Sequence, residues 1–334
     1  MQTNQSIYTP SRGWTAAGNS GHLQDAQLVL LFGSKELLKD RGVIDEVRSF
    51  YPAAHIAGCS TAGEICGEEL SDNTVVCTAV WFEKTRIEIV KATIFAMEES
   101  FSAGARMAGS LNKEQLLHVM IFSEGLNING SELVKGLYSI LGNRVTVTGG
   151  LAGDQADFIE TVVVDNAAGE SNAIIAIGFY GENLKVGYGS LGGWDSFGVD
   201  REVTKSRGNV LYELDGQPAL ELYKKYLGAH ASGLPASALL FPLSLQLKET
   251  NTPLVRTVLS VNEKDGSMVF AGDIPQGEKV RLMKANFERL IQGANDAAEM
   301  SKLGVPGMDP DLAILISCVG RKLVLKQRTE EELE

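Results

Sequence analysis

The chain reads as α/β, of the mixed α+β kind: a duplicated strand–helix–strand N-terminal domain followed by an α+β C-terminal domain. Three observations predict this. Two short apolar runs, "LVLLFGS" at 28–34 and "HVMIFSE" at 118–124, are each followed by helical periodicity, and Phe32 and Phe122 match at an offset of 90. Each helix then leads into a second strand ending in a glycine-rich loop, "HIAGCSTAGEI" and "VTVTGGLAGDQ", in which Ala62-Gly63-Glu64 and Ala152-Gly153-Asp154 match at the same offset. Beyond about residue 182 the pattern gives way to strands, turns and helices in mixed order.

Taken in order, residues 1–27 form a polar N-terminal extension and 28–181 the duplicated domain, with copies 28–115 and 116–181. The first helix spans Lys35 to Phe50, with Ser34 as N-cap and Leu37, Leu38, Ile44 and Val47 facing a core. The second is capped at Ser131, carries Leu133, Val134, Leu137, Tyr138 and Leu141 at helical spacing, and stops at Gly142. Apolar strands "VVCTAVWF" at 75–82 and "AIIAIGFYG" at 173–181 close the copies. Strand–helix–strand units favour parallel pairing with right-handed crossovers, so the two loops emerge on one sheet edge or face each other across a pseudo-twofold.

In the C-terminal domain, 182–334, a strand-like stretch begins at Val203 and Thr204, "VLYEL" continues it, and Asp215-Gly216 turns the chain. Pro218 opens a helix with the stripe Ala219, Leu220, Leu222, Tyr223, Tyr226 and Leu227, ended by Gly228. Strands follow around 239–247, 255–261 and 267–270. A helix near 285–301 presents Phe287, Leu290, Ile291, Ala294 and Ala298, a last strand is expected at 312–320, and "EEELE" reads as an exposed charged helix.

Composition narrows function. A formal charge of −12 and the absence of a basic cluster disfavour nucleic acid and anionic membranes as partners. The N-terminus lacks a secretory pattern, and apolar runs such as 173–179 are too short to span a bilayer. Four cysteines without CxxC spacing fit free thiols in a reducing, cytoplasmic setting.

The chemistry-bearing candidates reduce to the paired loops. Cys59 would need a base; His55 shares its strand face but lies roughly 13 Å away along the strand, and the matching loop has glycine in its place. "GYGSLG" at 187–192 matches a dinucleotide fingerprint in letters, yet no helix follows to receive a phosphate. No zinc or calcium spacing occurs, and no metal ligands are assigned. Cys59, Ser60, Thr61, Gly63 and Glu64 offer hydroxyls, backbone N–H groups and an acid, a pattern suited either to cradling a small ligand or to tight packing with locally satisfied backbone. Gly150 and Asp154 belong to the matching loop, and Trp194 in "GGWDSFG" either floors a pocket or plugs a domain seam.

The residues "GCSTAGEI" at 58–65, "GGLAGD" at 149–154, "GWDSFG" at 193–198, "LDGQPALELY" at 214–223 and "SCVGRKLVLKQRTEEE" at 317–332, in this succession, resemble the FIST family. The resemblance implies FIST N and FIST C domains over nearly the whole chain, a segment of the family pattern beyond "EEELE" being absent from it. It implies a non-enzymatic bacterial signal-transduction sensor for a small ligand, amino acid-like in kind, feeding a histidine kinase or other signalling protein. Some stand-alone members are similar to nitric-oxide-sensing haem proteins. On that branch haem is the cofactor and one of His22, His55, His118 or His230 the candidate axial ligand. A Cys59-dependent hydrolase or transferase is the alternative of another class.

Overall fold

Residues Leu28–Gly33 explain the architecture. Leu28 and Leu30 point to one side, Val29 and Leu31 to the other, and all four are buried. A strand covered on both faces needs a layer above and a layer below it. The computed structural model describes residues 1–17, 23–248 and 253–333, and the elements named below are those of these residues.

The N-terminal domain comprises β1 (Gln2–Thr9), β2 (Gly13–Ala16), β3 (Leu28–Gly33), α1 (Lys35–Lys39), α2 (Arg41–Phe50), β4 (His55–Ser60), β5 (Glu64–Cys66), β6 (Glu69–Ser71) and β7 (Val75–Trp81). It continues with β8 (Arg86–Thr93), α3 (Ser100–Ser110), β9 (Leu116–Ser123), α4 (Gly130–Leu141), β10 (Thr146–Leu151), β11 (Val163–Asp165) and β12 (Ala173–Tyr180). One sheet runs β11–β4–β3–β7–β1–β2 and the other β10–β9–β12–β8. The duplication is visible in the pairing. β3 is parallel to β4 and antiparallel to β7, which is antiparallel to β1. In the second sheet β9 is parallel to β10 and antiparallel to β12, which is antiparallel to β8.

The sheets stack face to face. Leu28, Leu30, Ala57 and Cys59 from one meet Phe122, Ile175, Ile177 and Phe179 from the other. The opposite face of the first sheet is covered by α1 and α2 through Leu38, Val43, Ile44 and Val47. That of the second is covered by α3 and α4 through Ala103, Met107, Leu133 and Leu137. The order is helix, sheet, sheet, helix. The two loops do not lie on one sheet edge: each ends a strand of a different sheet, and they touch where the Gly153 N–H meets the Ser60 carbonyl.

The third sheet belongs to the C-terminal half: β13 (Asp195–Arg207), β14 (Val210–Leu214), β15 (Gln217–Pro218), α5 (Ala219–Leu227), β16 (Leu243–Gln246), β17 (Leu254–Arg256), β18 (Val258–Asn262), β19 (Ser267–Phe270), β20 (Lys279–Lys284), α6 (Phe287–Leu303) and α7 (Val319–Leu325). Its order is β17–β16–β20–β13–β14–β19–β18, with β15 on β14, and α5 packs against it through Leu220, Tyr223 and Leu227. The "GYGSLGG" stretch lies against α6. A Cβ at Gly187, Gly189 or Gly193 would overlap the carbonyl oxygens of Ser301, Ala297 and Arg289, one helical turn or two apart. These glycines serve helix packing, not phosphate.

Several expectations are corrected. Residues 2–16, read as a polar extension, are strands, because β1 supplies the neighbour that β7 needs. The helix over 35–50 breaks at Asp40, whose side chain accepts the Gly42 N–H and starts α2. Asn129, not Ser131, caps α4, accepting from Ser131 and Glu132. "GWDSFG" is partly β13, with a register shift after Phe197 and Gly198 at φ +76°. The strand expected at 312–320 does not form. Its alternation serves packing instead, as Leu312 and Ile314 tuck against the core between the sheets and α7 begins at Val319. The "EEELE" tail is not an exposed helix throughout: Glu332 pairs in buried surroundings with Arg321 at 2.8 Å. α3 and β20 escaped notice, α3 because Ala103, Gly104 and Ala108 make a buried face of small residues with little hydrophobic signal.

A Cβ on Gly58 would overlap the Leu31 carbonyl oxygen, whereas one on Gly109 in α3 meets nothing within 4 Å. Gly58→Ala should therefore destabilise the protein by about 3 kcal/mol, and Gly109→Ala should stabilise it by about 0.5–1 kcal/mol, as read by urea denaturation.

Candidate functional site

The two glycine-rich loops do meet, and they meet at Ser60. This residue is fully buried at the end of β4. Its N–H donates to the Val162 carbonyl (2.9 Å), its Oγ accepts the Val162 N–H (3.0 Å), and its carbonyl accepts the Gly153 N–H (2.9 Å). The loop of the second copy thus crosses the strand end of the first and delivers β11 to the outer edge of β4.

The acids turn away from this crossing. The Thr61 hydroxyl donates to Glu64 Oε1 at 2.7 Å, and Oε2 accepts the Thr74 N–H (3.1 Å) and hydroxyl (2.9 Å). Burial raises the Glu64 carboxyl above its usual range despite those bonds. Asp154 accepts the N–H groups of Phe158, Ile159 and Glu160 at 3.2, 2.7 and 3.0 Å, with Lys35 Nζ 3.7 Å away. Each acid closes its own loop. The copies are also one residue out of the register read from sequence. Gly58 pairs with Leu31 as Gly149 pairs with Ile121, so the structural counterpart of Cys59 is Gly150 and that of Thr61 is Ala152.

The C-terminal domain covers this junction. Lys322 of α7 donates to the Ala62 carbonyl at 2.7 Å, lies against Gly63 (φ +149°) and pairs with Asp72; Ile316 rests on Gly150. Trp194 is placed elsewhere, buried with Met283, Leu290, Val324 and Leu325.

Cys59 faces the inter-sheet core, where burial pushes its thiol up to about 12. His118 on β9 is buried with Nδ1 2.7 Å from the Thr146 hydroxyl and Nε2 2.9 Å from that of Thr148; burial lowers it to about 4. His55 is exposed beside Asn166, and the His230 ring packs on Phe241; His22 lies outside the described residues. The three described histidines do not fit a haem: His118 has both nitrogens engaged, and His55 and His230 sit outside the apolar space between the sheets. Among the described residues no group of three His, Cys, Asp or Glu side chains is arranged to hold a metal.

A different site opens where the two halves of the chain meet. A cleft of about 460 Å³ is lined by Gly130, Ser131 and Val134 of α4 and by residues 255–257 and 271–272 of the third sheet. Its rim is polar. The Gly130 N–H donates to the Ala271 carbonyl (3.0 Å), the Asp273 N–H donates to Ser131 Oγ (3.1 Å), and the Asp273 carboxylate takes Asn129 Nδ2 (2.7 Å) and Lys135 Nζ (2.5 Å). Sequence reasoning missed it because its walls come from segments more than a hundred residues apart, and Val134, grouped by spacing with the buried Leu133 and Leu137, is exposed on the cleft.

A stacked, internally duplicated αββα unit joined to a third sheet defines a two-part, mixed α+β protein. It matches the FIST N domain model over residues 27–217 and the FIST C domain model over 219–334, and belongs to the FIST-domain family. FIST domains are sensory, ligand-binding domains. The chain is also 22% identical to an uncharacterised protein of Methanocaldococcus jannaschii, with 92% of this chain aligned, and spans 62% of that protein's length. Among the described residues no helix is long and apolar enough to cross a membrane.

In native protein at pH 8, alkylation followed by peptide mapping should leave Cys59 unmodified, with labelling only after denaturation. His118 binds its proton more weakly folded (about 4) than unfolded (6.5), so the unfolded state takes up the extra proton between those values. The stability it contributes is complete above pH 6.5 and is lost as pH falls through 4, a change of about 3 kcal/mol. Glu64 and Glu124, both raised by burial, act in the opposite sense. Chemical denaturation of His118→Gln across pH 4–6.5 should show a flatter profile than the parent.

Proposed function

We propose that this chain is a non-enzymatic intracellular sensor. It binds a small ligand between its FIST N and FIST C domains and passes a change in their relative position to a signalling protein, a histidine kinase being the kind the family resemblance suggests. The observation that carries this reading is the interdomain cleft between α4 and the third sheet. It is an open, shallow groove with residues of both halves in its wall, and its rim is made of hydrogen bonds and ion pairs on Asp273 rather than an apolar core. Interfaces of that composition permit relative domain motion. A ligand that touches both walls binds one arrangement of the domains better than another, which is the condition for shifting an equilibrium.

The polar groups of the predicted loop residues are already engaged, Ser60 in joining the two copies and Thr61, Glu64 and Asp154 within their own loops, so the cleft is the better place for a ligand. Among the described residues the haem reading has no free buried imidazole to support it, and a Cys59 nucleophile would have to overcome a thiol raised to about 12.

Mass spectrometry of small molecules released by denaturing freshly purified protein should identify a bound compound, and adding that compound back should raise the Tm. Val134→Trp, which fills the cleft from an exposed position, should abolish the shift. Ile140→Trp, exposed on the same helix away from it, should keep the shift. Retention of the shift in Val134→Trp sinks the reading.

A further inference from the structure

Arg256 stands out among the residues lining the cleft. Its guanidinium is partly buried at the end of β17, where Nε donates to the Asp273 carbonyl at 2.8 Å and one terminal nitrogen, on the exposed side, reaches the Val255 carbonyl at 3.3 Å. Both acceptors are neutral. Among the described residues no carboxylate pairs with it within 4 Å, because the Asp273 side chain is already taken by Lys135 and Asn129. Burial accordingly weakens the hold of this guanidinium on its proton. Withdrawing a charge from water without a counter-ion is costly, and buried charges are ordinarily paired.

Ser131, Gly272 and the guanidinium line the cleft together. A Cβ on Gly272 would lie 2.6 Å from Ser131 Oγ and 3.5 Å from Arg256 Cζ, so glycine there lets the backbone pass close to both the hydroxyl and the cation. Ser131 Oγ accepts the Asp273 N–H, which leaves its own hydrogen to donate. Thr257 adds a second hydroxyl to the lining, and Val134, Val255 and Ala271 supply apolar wall.

We propose that the cleft takes a small carboxylate with an apolar body, its carboxylate held by Arg256 with the Ser131 hydroxyl beside it and its body against Val134 and Val255. A guanidinium presents parallel N–H groups that match a carboxylate, and the ligand would add a close ion pair where Asp273 acts on the guanidinium only from beyond 4 Å. The inference rests on the sensor reading above and names the ligand class for the same site.

The test is a thermal-shift titration of the full chain with isovalerate and phenylacetate, with their neutral amides, and with inorganic phosphate. The acids should raise the Tm with dose and the amides should not. Arg256→Gln should weaken the acids' apparent affinity roughly ten- to a hundredfold, and Arg256→Lys, which keeps charge but loses the fork, should fall between. The proposal is overturned if neither acid shifts the Tm, if phosphate alone does, or if Arg256→Gln binds the acids undiminished. Amides binding as well as acids, with both abolished by Val134→Trp, would remove the carboxylate assignment and leave the cleft standing. Acid binding that survives Val134→Trp would remove both.

Discussion

Ser60 is where the two copies of the N-terminal domain are fastened together. Strands buried on both faces cannot leave backbone groups unpaired, and an open edge beside a buried core is a liability. The outer edge of β4 is closed by β11, and β11 arrives there because the chain after β10 crosses the end of β4 at Ser60. One fully buried residue therefore holds the crossing through its N–H, its carbonyl and its hydroxyl. Asp154, accepting three backbone N–H groups, stiffens the crossing loop, and Glu64 does the same for the hairpin of β5 and β6. The polarity that makes the "GCSTAGE" motif conspicuous is consumed by this junction.

Much of the fold was legible because both copies announce themselves in the same way. The apolar runs at 28–33 and 173–180 read as strands, and the period-two division of their side chains between two cores follows from sheets covered on both sides. The duplication itself showed in Phe32 and Phe122, which stack edge to face at 5.3 Å across the inter-sheet core. What stayed hidden has physical causes. The one-residue difference in register cannot be seen when glycine occupies both 149 and 150. α3 buries small residues, and 312–317 alternates like a strand while packing through side chains alone. The cleft was illegible for a further reason: an arginine with no carboxylate within 4 Å among the described residues has meaning only when one knows that Asp273 is already occupied.

The two halves of the chain touch in two different manners. Around α7, Lys322 reaches across to Ala62 and Asp72, while Arg321 binds the carbonyls of Gly192 and Leu290 and pairs with Glu332. Arg321 thus ties three segments of the C-terminal half to one another, and Lys322, the next residue, ties that half to the loops of the first copy. Around α4 the contact is thinner, a set of bonds centred on Asp273 with open space beside it. A seam closed at one end and open at the other lets a ligand at the open end act with leverage on the whole, which suits a sensory protein better than an interface fixed along its length.

The exchange of β11 has a consequence for how such a domain can change over time. A duplicated unit ordinarily stays separable, since each copy keeps its own core and could in principle be deleted or recombined. Here the second copy gives up a strand to the sheet of the first, and the two sheets share one buried face. Removing either copy would strip the other of an edge and of half its interior. The duplication has become a one-way step, and the pair must now vary together as a single unit of inheritance.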